Sequence, residues 1–462
     1  VLTILRSIIT EAGVQPGDVN LIIHGTTLAT NALIERKGAK TALLTTEGFR
    51  DVIEIRHENR FEQYDLNIDL PPPLVPRRLR LPIRERIDAQ GNVLIPLDDK
   101  SIAVALDTLI AQKVETIAVG LLHSFTNPDH ERRVGEAVQK RMPDATVTLS
   151  SDVSPEMREY ERFSTACANA YLQPLMGRYI TRLESELTKA GFRCPILLMT
   201  SGGGITSTDT AIRFPVRLVE SGPAGGAIFA GCIARQNGLD TFVSFDRAGT
   251  TAKICFIDDG RAQTARVFEV ARIYRFVKGS GLPLRIPVIE MVEIGAGGGS
   301  IARVDTLGRI NVGPDSAGSE PGPVSYGRGG TEPTVTDADV ALGRIDPAAF
   351  SGGKMKLDGT AAQKAIAANI GAKLDLSAEH AALGISEIVD ENMASAARVH
   401  AIESGKDIRT RTMIAFGGAA PLHAARVAEK LGIAHVIIPA NAGVGSAVGL
   451  LRAPVAYEIV RS

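Results

Sequence analysis

Between Asn20 and Asp152 the short apolar runs LIIHG, TALLTT, TIAVGLLH and TVTLSS alternate with stretches of helical period. This alternation predicts an α/β unit, with strands covered by helices. The proline-rich segment Asp69–Asp98 breaks the pattern and reads as an excursion rather than core. Helical periodicity runs from Pro155 to Ala190, after which PILLMT predicts a strand leading into the loop SGGG, Ser201–Gly204. The stretch RLVESGPAGGAIFAGCIA reads as strand, glycine turn and helix. From Phe242 to Asp305 short strands and turns follow one another, with turns at Asp246–Thr251, Asp258–Gly260 and Gly295–Gly299. A second α/β unit therefore begins near Gly238. Helices are expected over Gly359–Ile370 and Ser377–Ser404, followed by a strand TMIAF, a loop GGAAP, a helix LHAARVAEKLG, a strand HVIIP and a last helix GVGSAVGLL.

A chain of 462 residues, 44% of them hydrophobic, is long enough for two or three domains with substantial cores. Its 51 Lys+Arg balance 52 Asp+Glu to a net charge of -1, which gives no field toward nucleic acid or an anionic membrane. Small molecules and proteins are the expected partners. Cys167, Cys194, Cys232 and Cys255 are widely spaced, without a CxxC, and read as buried reduced thiols rather than a zinc site or disulfide framework. No apolar run approaches the ~20 residues of a membrane helix, and the start lacks a signal peptide's features, so a cytoplasmic location is expected. The chain opens at Val1 inside an amphipathic pattern without an initiator methionine, which reads as a fragment.

Five glycine-rich segments follow expected strands: SGGG, SGPAGG, the Asp246–Thr251 turn, GAGGGS and FGGAAP. Glycines at strand ends let backbone N–H groups approach an anion, and five together predict a polyphosphate cleft, although a tight turn explains any one of them. In VSFDRAGTTAKICF, Asp246 is placed to hold Mg²⁺ through water, with Gly249, Thr250 and Thr251 on phosphate oxygens. Arg247 is an alternative phosphate contact. In HGTTLATNALIERKG, Thr26 or Thr27 would cap a helix, while His24 is a candidate for substrate or acid–base contact and equally a hydrogen-bonded structural histidine. Glu290 and Glu293 precede GAGGGS, where a carboxylate would act through a cation, or simply end a strand in solvent. Asp337 and Asp339 read as a helix cap and a first-turn acid.

The segments HGTTLATNALIERKGAKTALLTTEGFRDV, PEMREYERFSTACANAYLQPLM, RLVESGPAGGAIFAG, VEIGAGGGSIARVD, GPDSAGSEPGPVSYGRGGTEPTVTDADVALGRIDP and IAFGGAAPLHAARVAEKLG together resemble the hydantoinase A/5-oxoprolinase family over nearly the whole chain. The resemblance implies an α/β, actin-like ATPase fold of two ribonuclease-H-like domains, the first incomplete, with an N-terminal domain over 1–190 and an ATPase-type domain over 191–462. It implies ATP and Mg²⁺ as cofactors, a cyclic amide or ketone substrate, a hydantoinase B-type partner subunit and a homo- or hetero-oligomer. The expected activity is phosphorylation and opening of a hydantoin- or 5-oxoproline-type ring. A ketone carboxylase subunit and a degenerate, partner-binding homologue without ATPase activity are the alternatives. On this resemblance Asp246 is catalytic and holds the metal with Glu290, and His24 lies on the substrate side. Gly249, Thr250, Thr251, Gly297, Gly298, Gly299, Gly417 and Gly418 approach the nucleotide. The chain departs from the family pattern where Arg247-Ala248 replaces Met-Gly, at Ser325 and Ala420, and in lacking a first Asp-x-Gly-Gly-Thr loop and an additional C-terminal region.

Overall fold

The computed structural model describes residues 1–57, 60, 62–68, 70–273, 278–456 and 460. Two compact units divide the chain, one formed by 1–224, 264–288 and 453–462, the other by 225–263 and 289–452. A single cut after residue 190 therefore does not describe it. Leu282, Leu284 and Ile286 return to bury against Leu172 and Met176, which draws a late segment into the first unit.

The first unit contains β1 (Ile22–His24), β2 (Thr41–Thr46), β3 (Arg80–Ile83), β4 (Thr116–Gly120), β5 (Thr146–Leu149), β6 (Ile196–Met199) and β7 (Ile205–Ser207). Four of these form a parallel sheet in the order β3-β2-β4-β5. Every residue of β2 and β4 is buried, as a parallel sheet covered on both faces requires. Helices α1 (Asp99–Ala111), α2 (Asp129–Arg141) and α3 (Glu159–Lys189) supply Leu106, Val134 and Phe163 to its core. The segment read as an excursion contributes to that core after all. β3 lies within it, pairs with β2 and buries Ile83, while Asp69 at its start is outside the described residues.

The second unit contains α4 (from Ser221–Gln236), β8 (Thr241–Arg247), β9 (Ala252–Asp258), β10 (Arg261–Ala262), β11 (Val292–Ile294), α5 (Val335–Ala341), α6 (Ala378–Glu403), β12 (Thr412–Phe416), α7 (Ala420–Leu431), β13 (His435–Ile437) and α8 (Gly445–Leu450). Its sheet runs β10-β9-β8-β12-β13, with β11 also paired to β9. β8 and β9 are the antiparallel hairpin expected from the sequence, and β12 joins β8 in parallel. Alternation along β8 turns Val243, Phe245 and Arg247 to one face and Ser244 and Asp246 to the other. Val243 and Phe245 meet the buried stripes of α6 and α7, including Ile385, Val389, Ala424 and Val427.

RLVESGPAGG departs from its predicted strand and turn. Pro215–Leu218 is a 3₁₀ turn, and the glycines after Ser221 lie inside α4. Gly225 serves helix packing, since a Cβ there would crowd the Ser446 carbonyl and one on Gly449 of α8 would overlap the Gly225 carbonyl, whereas a Cβ on Gly226 would crowd Phe416 and Asp246 Oδ2.

Candidate functional site

Asp246 and Arg247 close β8, and residues 248–251 turn the chain into β9, the turn being fastened by the Ala248 N–H to the Thr251 carbonyl at 3.0 Å. Ala248, Gly249 and Thr250 are exposed. Among the described residues no backbone carbonyl accepts the Gly249 or Thr250 N–H. The turn thus presents backbone donors and Thr250 to solvent, with Thr251 half-buried behind them.

Asp246 stands at its base. Ser446 Oγ donates to Asp246 Oδ2 at 2.9 Å, and Lys253 faces it across the hairpin. Burial pushes the Asp246 carboxyl above its ordinary range, against the Ser446 hydrogen bond and the Lys253 charge, which pull it down. A carboxylate held partly desolvated is a ready ligand for a hard cation, whose charge would relieve that cost.

The loop after β12 reaches the same place. Gly417 has a φ of 92° and comes so close that a Cβ there would overlap Asp246 Oδ1 and the Arg247 carbonyl. The Ala419 N–H donates to that carbonyl at 3.0 Å. Gly418 is exposed, its N–H has no backbone acceptor among the described residues, and α7 begins at once without a side-chain cap. Its uncapped N–H groups carry the positive end of the helix dipole toward Asp246.

Gly297, Gly298 and Gly299 play a different part from the one expected. They are buried, and the Gly298 and Gly299 N–H groups donate to the carbonyls of Ala248 at 3.2 Å and Gly249 at 2.7 Å. A Cβ on Gly297 would overlap the Gly249–Thr250 backbone. Those two amides are spent on supporting the turn, so they are not the donors that meet a ligand.

Arg247 is no surface phosphate contact either. Fully buried, its Nε donates to the Ala296 carbonyl at 2.6 Å and its Nη2 to the Gly297 carbonyl at 3.2 Å. Burial lowers the guanidinium to about 10, partly offset by Asp339 and Asp390. These acids belong to a buried chain that the sequence reading missed. His423 Nδ1 lies 2.6 Å from Asp390 Oδ1 and its Nε2 lies 3.0 Å from Asp339 Oδ2, while Arg344 Nη1 reaches Asp339 at 3.3 Å. The N-cap of α5 is Thr334, and Asp337, expected as the cap, is instead the first-turn acid that completes its capping box, whereas Asp339 turns into the core.

The Glu290 N–H donates to the Gln263 carbonyl at 2.7 Å, and its charge adds to the burial that pushes the Cys255 thiol up to about 12. Glu293 pairs with Lys253 at 3.5 Å. Among the described residues no group of three or more His, Cys, Asp or Glu could hold a metal, so a cation here would depend on Asp246 and its ligand's own oxygens.

His24 ends β1 in the first unit, 2.7 Å from the Tyr179 hydroxyl, and burial holds its imidazole below the ordinary range. Thr26 Oγ1 accepts the Leu28 N–H at 3.2 Å, while Thr27, the N-cap residue of the helix Leu28–Ile34, makes no side-chain cap hydrogen bond.

A family profile described as hydantoinase/oxoprolinase matches residues 162–459, and the profile of its N-terminal region matches 1–142. The chain belongs to the hydantoinase/oxoprolinase family. Caprolactamase subunit alpha of Pseudomonas jessenii is 40% identical over 443 residues, covering 96% of this chain and 62% of that one. The crystal structure of the ATP-dependent caprolactamase from that organism superposes with a TM-score of 0.83 at 38% identity, over 96% of this chain and 64% of the other. Nucleotide-free acetone carboxylase superposes with a TM-score of 0.77 at 30% identity, over 93% of this chain and 61% of that one. The chain thus spans less than two thirds of the length of these relatives. Its α/β fold is the actin-like ATPase fold of the hydantoinase family. No described helix is long and apolar enough to cross a membrane.

Proposed function

We propose that this hydantoinase/oxoprolinase chain binds Mg²⁺–ATP at the Asp246–Thr251 turn and serves an amidohydrolase that activates and opens a cyclic amide or imide. The observation that carries the proposal is the convergence, within one unit, of a partly desolvated carboxylate, an exposed turn with free amides, and the uncapped start of α7. Asp246 would hold the cation. The amides of Gly249, Thr250 and Gly418 and the hydroxyls of Thr250 and Thr251 would hold phosphate oxygens. ATP supplies a phosphoryl group that turns an amide oxygen into a good leaving group. The protein's task is to place that group and to balance its charge.

The caprolactamase relative favours a lactam, hydantoin or 5-oxoproline ring as substrate, and its designation as a subunit favours a partner chain of the hydantoinase B type in a hetero-oligomer. The test is ATP hydrolysis by the chain with its partner subunit, with caprolactam, hydantoin or 5-oxoproline added singly. At least one ring should stimulate phosphate release and be opened in step with it; nucleotide binding without stimulation by any ring would refute the amidohydrolase reading. The acetone carboxylase likeness supports a second reading, a ketone carboxylase subunit. Bicarbonate-dependent consumption of acetone or acetophenone would select it.

A further inference from the structure

We propose that Arg247 is a positioning residue for the nucleotide site, resting on the reading above: its side chain and its carbonyl hold the two loops that flank Asp246. The guanidinium takes the Ala296 and Gly297 carbonyls, and the Gly298 and Gly299 amides that follow carry the turn. The Arg247 carbonyl takes the Ala419 N–H at the entrance to α7. One residue therefore fixes the free amides of the turn and of Gly418 from both sides.

The choice of side chain follows from this geometry. Two neighbouring carbonyls accept from two nitrogens of one planar fork, an arrangement a lysine ammonium cannot reproduce from a single nitrogen. Methionine, which the family pattern has at this position, offers no donor, so here it would leave the buried Ala296 carbonyl short of a partner and Gly297 with only the Ser300 N–H. Thr336 reinforces the loop from the other side, its N–H and Oγ1 both donating to the Gly298 carbonyl at 2.8 and 2.9 Å. A guanidinium also stays beside the acids Asp339 and Asp390 that face the same core, with Arg344 and His423 completing the charged groups packed there. Arg247 thus supports the turn from beneath instead of meeting phosphate.

The test compares the native chain with Arg247→Met and Arg247→Lys by amide hydrogen exchange and by affinity for Mg²⁺ with a non-hydrolysable ATP analogue. In the Met variant the Gly298 and Gly299 amides should exchange about tenfold faster while those of Val243–Phe245 stay protected, and nucleotide affinity should fall about tenfold. Lys should recover part of both losses, which a merely volume-filling role would not produce. Native exchange and native affinity in the Met variant would overturn the proposal. If the Met variant does not fold, the Lys variant decides: unchanged exchange at Gly298 and Gly299 overturns the proposal, and faster exchange with weaker binding supports it. Should the native chain bind no nucleotide, the functional reading fails separately. The exchange data then judge the loop-holding role of Arg247 alone.

Discussion

Asp246→Asn is expected to raise the stability of the chain while abolishing its affinity for Mg²⁺–ATP. Burial raises the pKa of this carboxyl, so folding disfavours its ionised form. A carboxyl shifted upward contributes most stability below its unfolded pKa and loses it as pH rises through the folded value. Above the folded value the loss is complete, and the carboxylate is a net cost. Asparagine keeps an oxygen for the Ser446 hydroxyl and sheds the charge, for a gain of about 0.5–2 kcal/mol. Without the carboxylate, cation-dependent nucleotide affinity should drop about 100-fold or more, roughly 3 kcal/mol. Thermal melts from pH 5 to 8 with parallel titrations would show it. A variant less stable than native at pH 7, with native affinity, would contradict the assignment of Asp246 as the cation ligand.

His423→Ala should have the largest effect on stability. The imidazole, with no exposed surface, touches a carboxylate with each ring nitrogen. Both contacts are satisfied only if hydrogens lie between each nitrogen and its carboxylate oxygen. Alanine leaves Asp339 and Asp390 facing a cavity and one another, a change that typically costs about 3–5 kcal/mol. His423→Gln keeps volume and one donor group, so its loss should be smaller. Denaturant unfolding checks both. An Ala variant within about 1 kcal/mol of native would show that the chain of acids does not depend on His423.

Strand alternation explains what the sequence made legible and what it hid. The runs VSFDR and AKICF, with four residues between β8 and β9, disclosed the hairpin and put Asp246 at its end. The helical stripes of α6 and α7 were equally plain, because Ile385, Val389, Ala424 and Val427 recur at helical spacing. The same alternation places Arg247 on the face of Val243 and Phe245, which was the available signal that it points into the core. Nothing local announced its partners, since Asp339, Asp390 and His423 come from three helices distant in sequence.

Glycines were the weaker guide. GAGGGS reads like a phosphate loop by composition, yet its hydrogen bonds show it to be the bed on which the hairpin turn rests. In SGPAGG Gly225 marks close helix packing, and Gly226 makes room for Phe416 and the Asp246 carboxylate. The Asp246–Thr251 turn and GGAAP combine glycine with free, exposed amides beside Asp246, and Gly202 of SGGG has such an amide away from it. Distinguishing these roles requires hydrogen-bond partners, which composition does not encode.

The most direct measurement is a calorimetric titration of the folded 462-residue chain with Mg²⁺ and a non-hydrolysable ATP analogue, repeated on Asp246→Asn. The account predicts saturable binding with a Kd near the micromolar range, about 8 kcal/mol, that disappears in the variant. Absence of binding by a demonstrably folded native chain, or equal binding by both, would contradict the claim that this turn holds a nucleotide through Asp246.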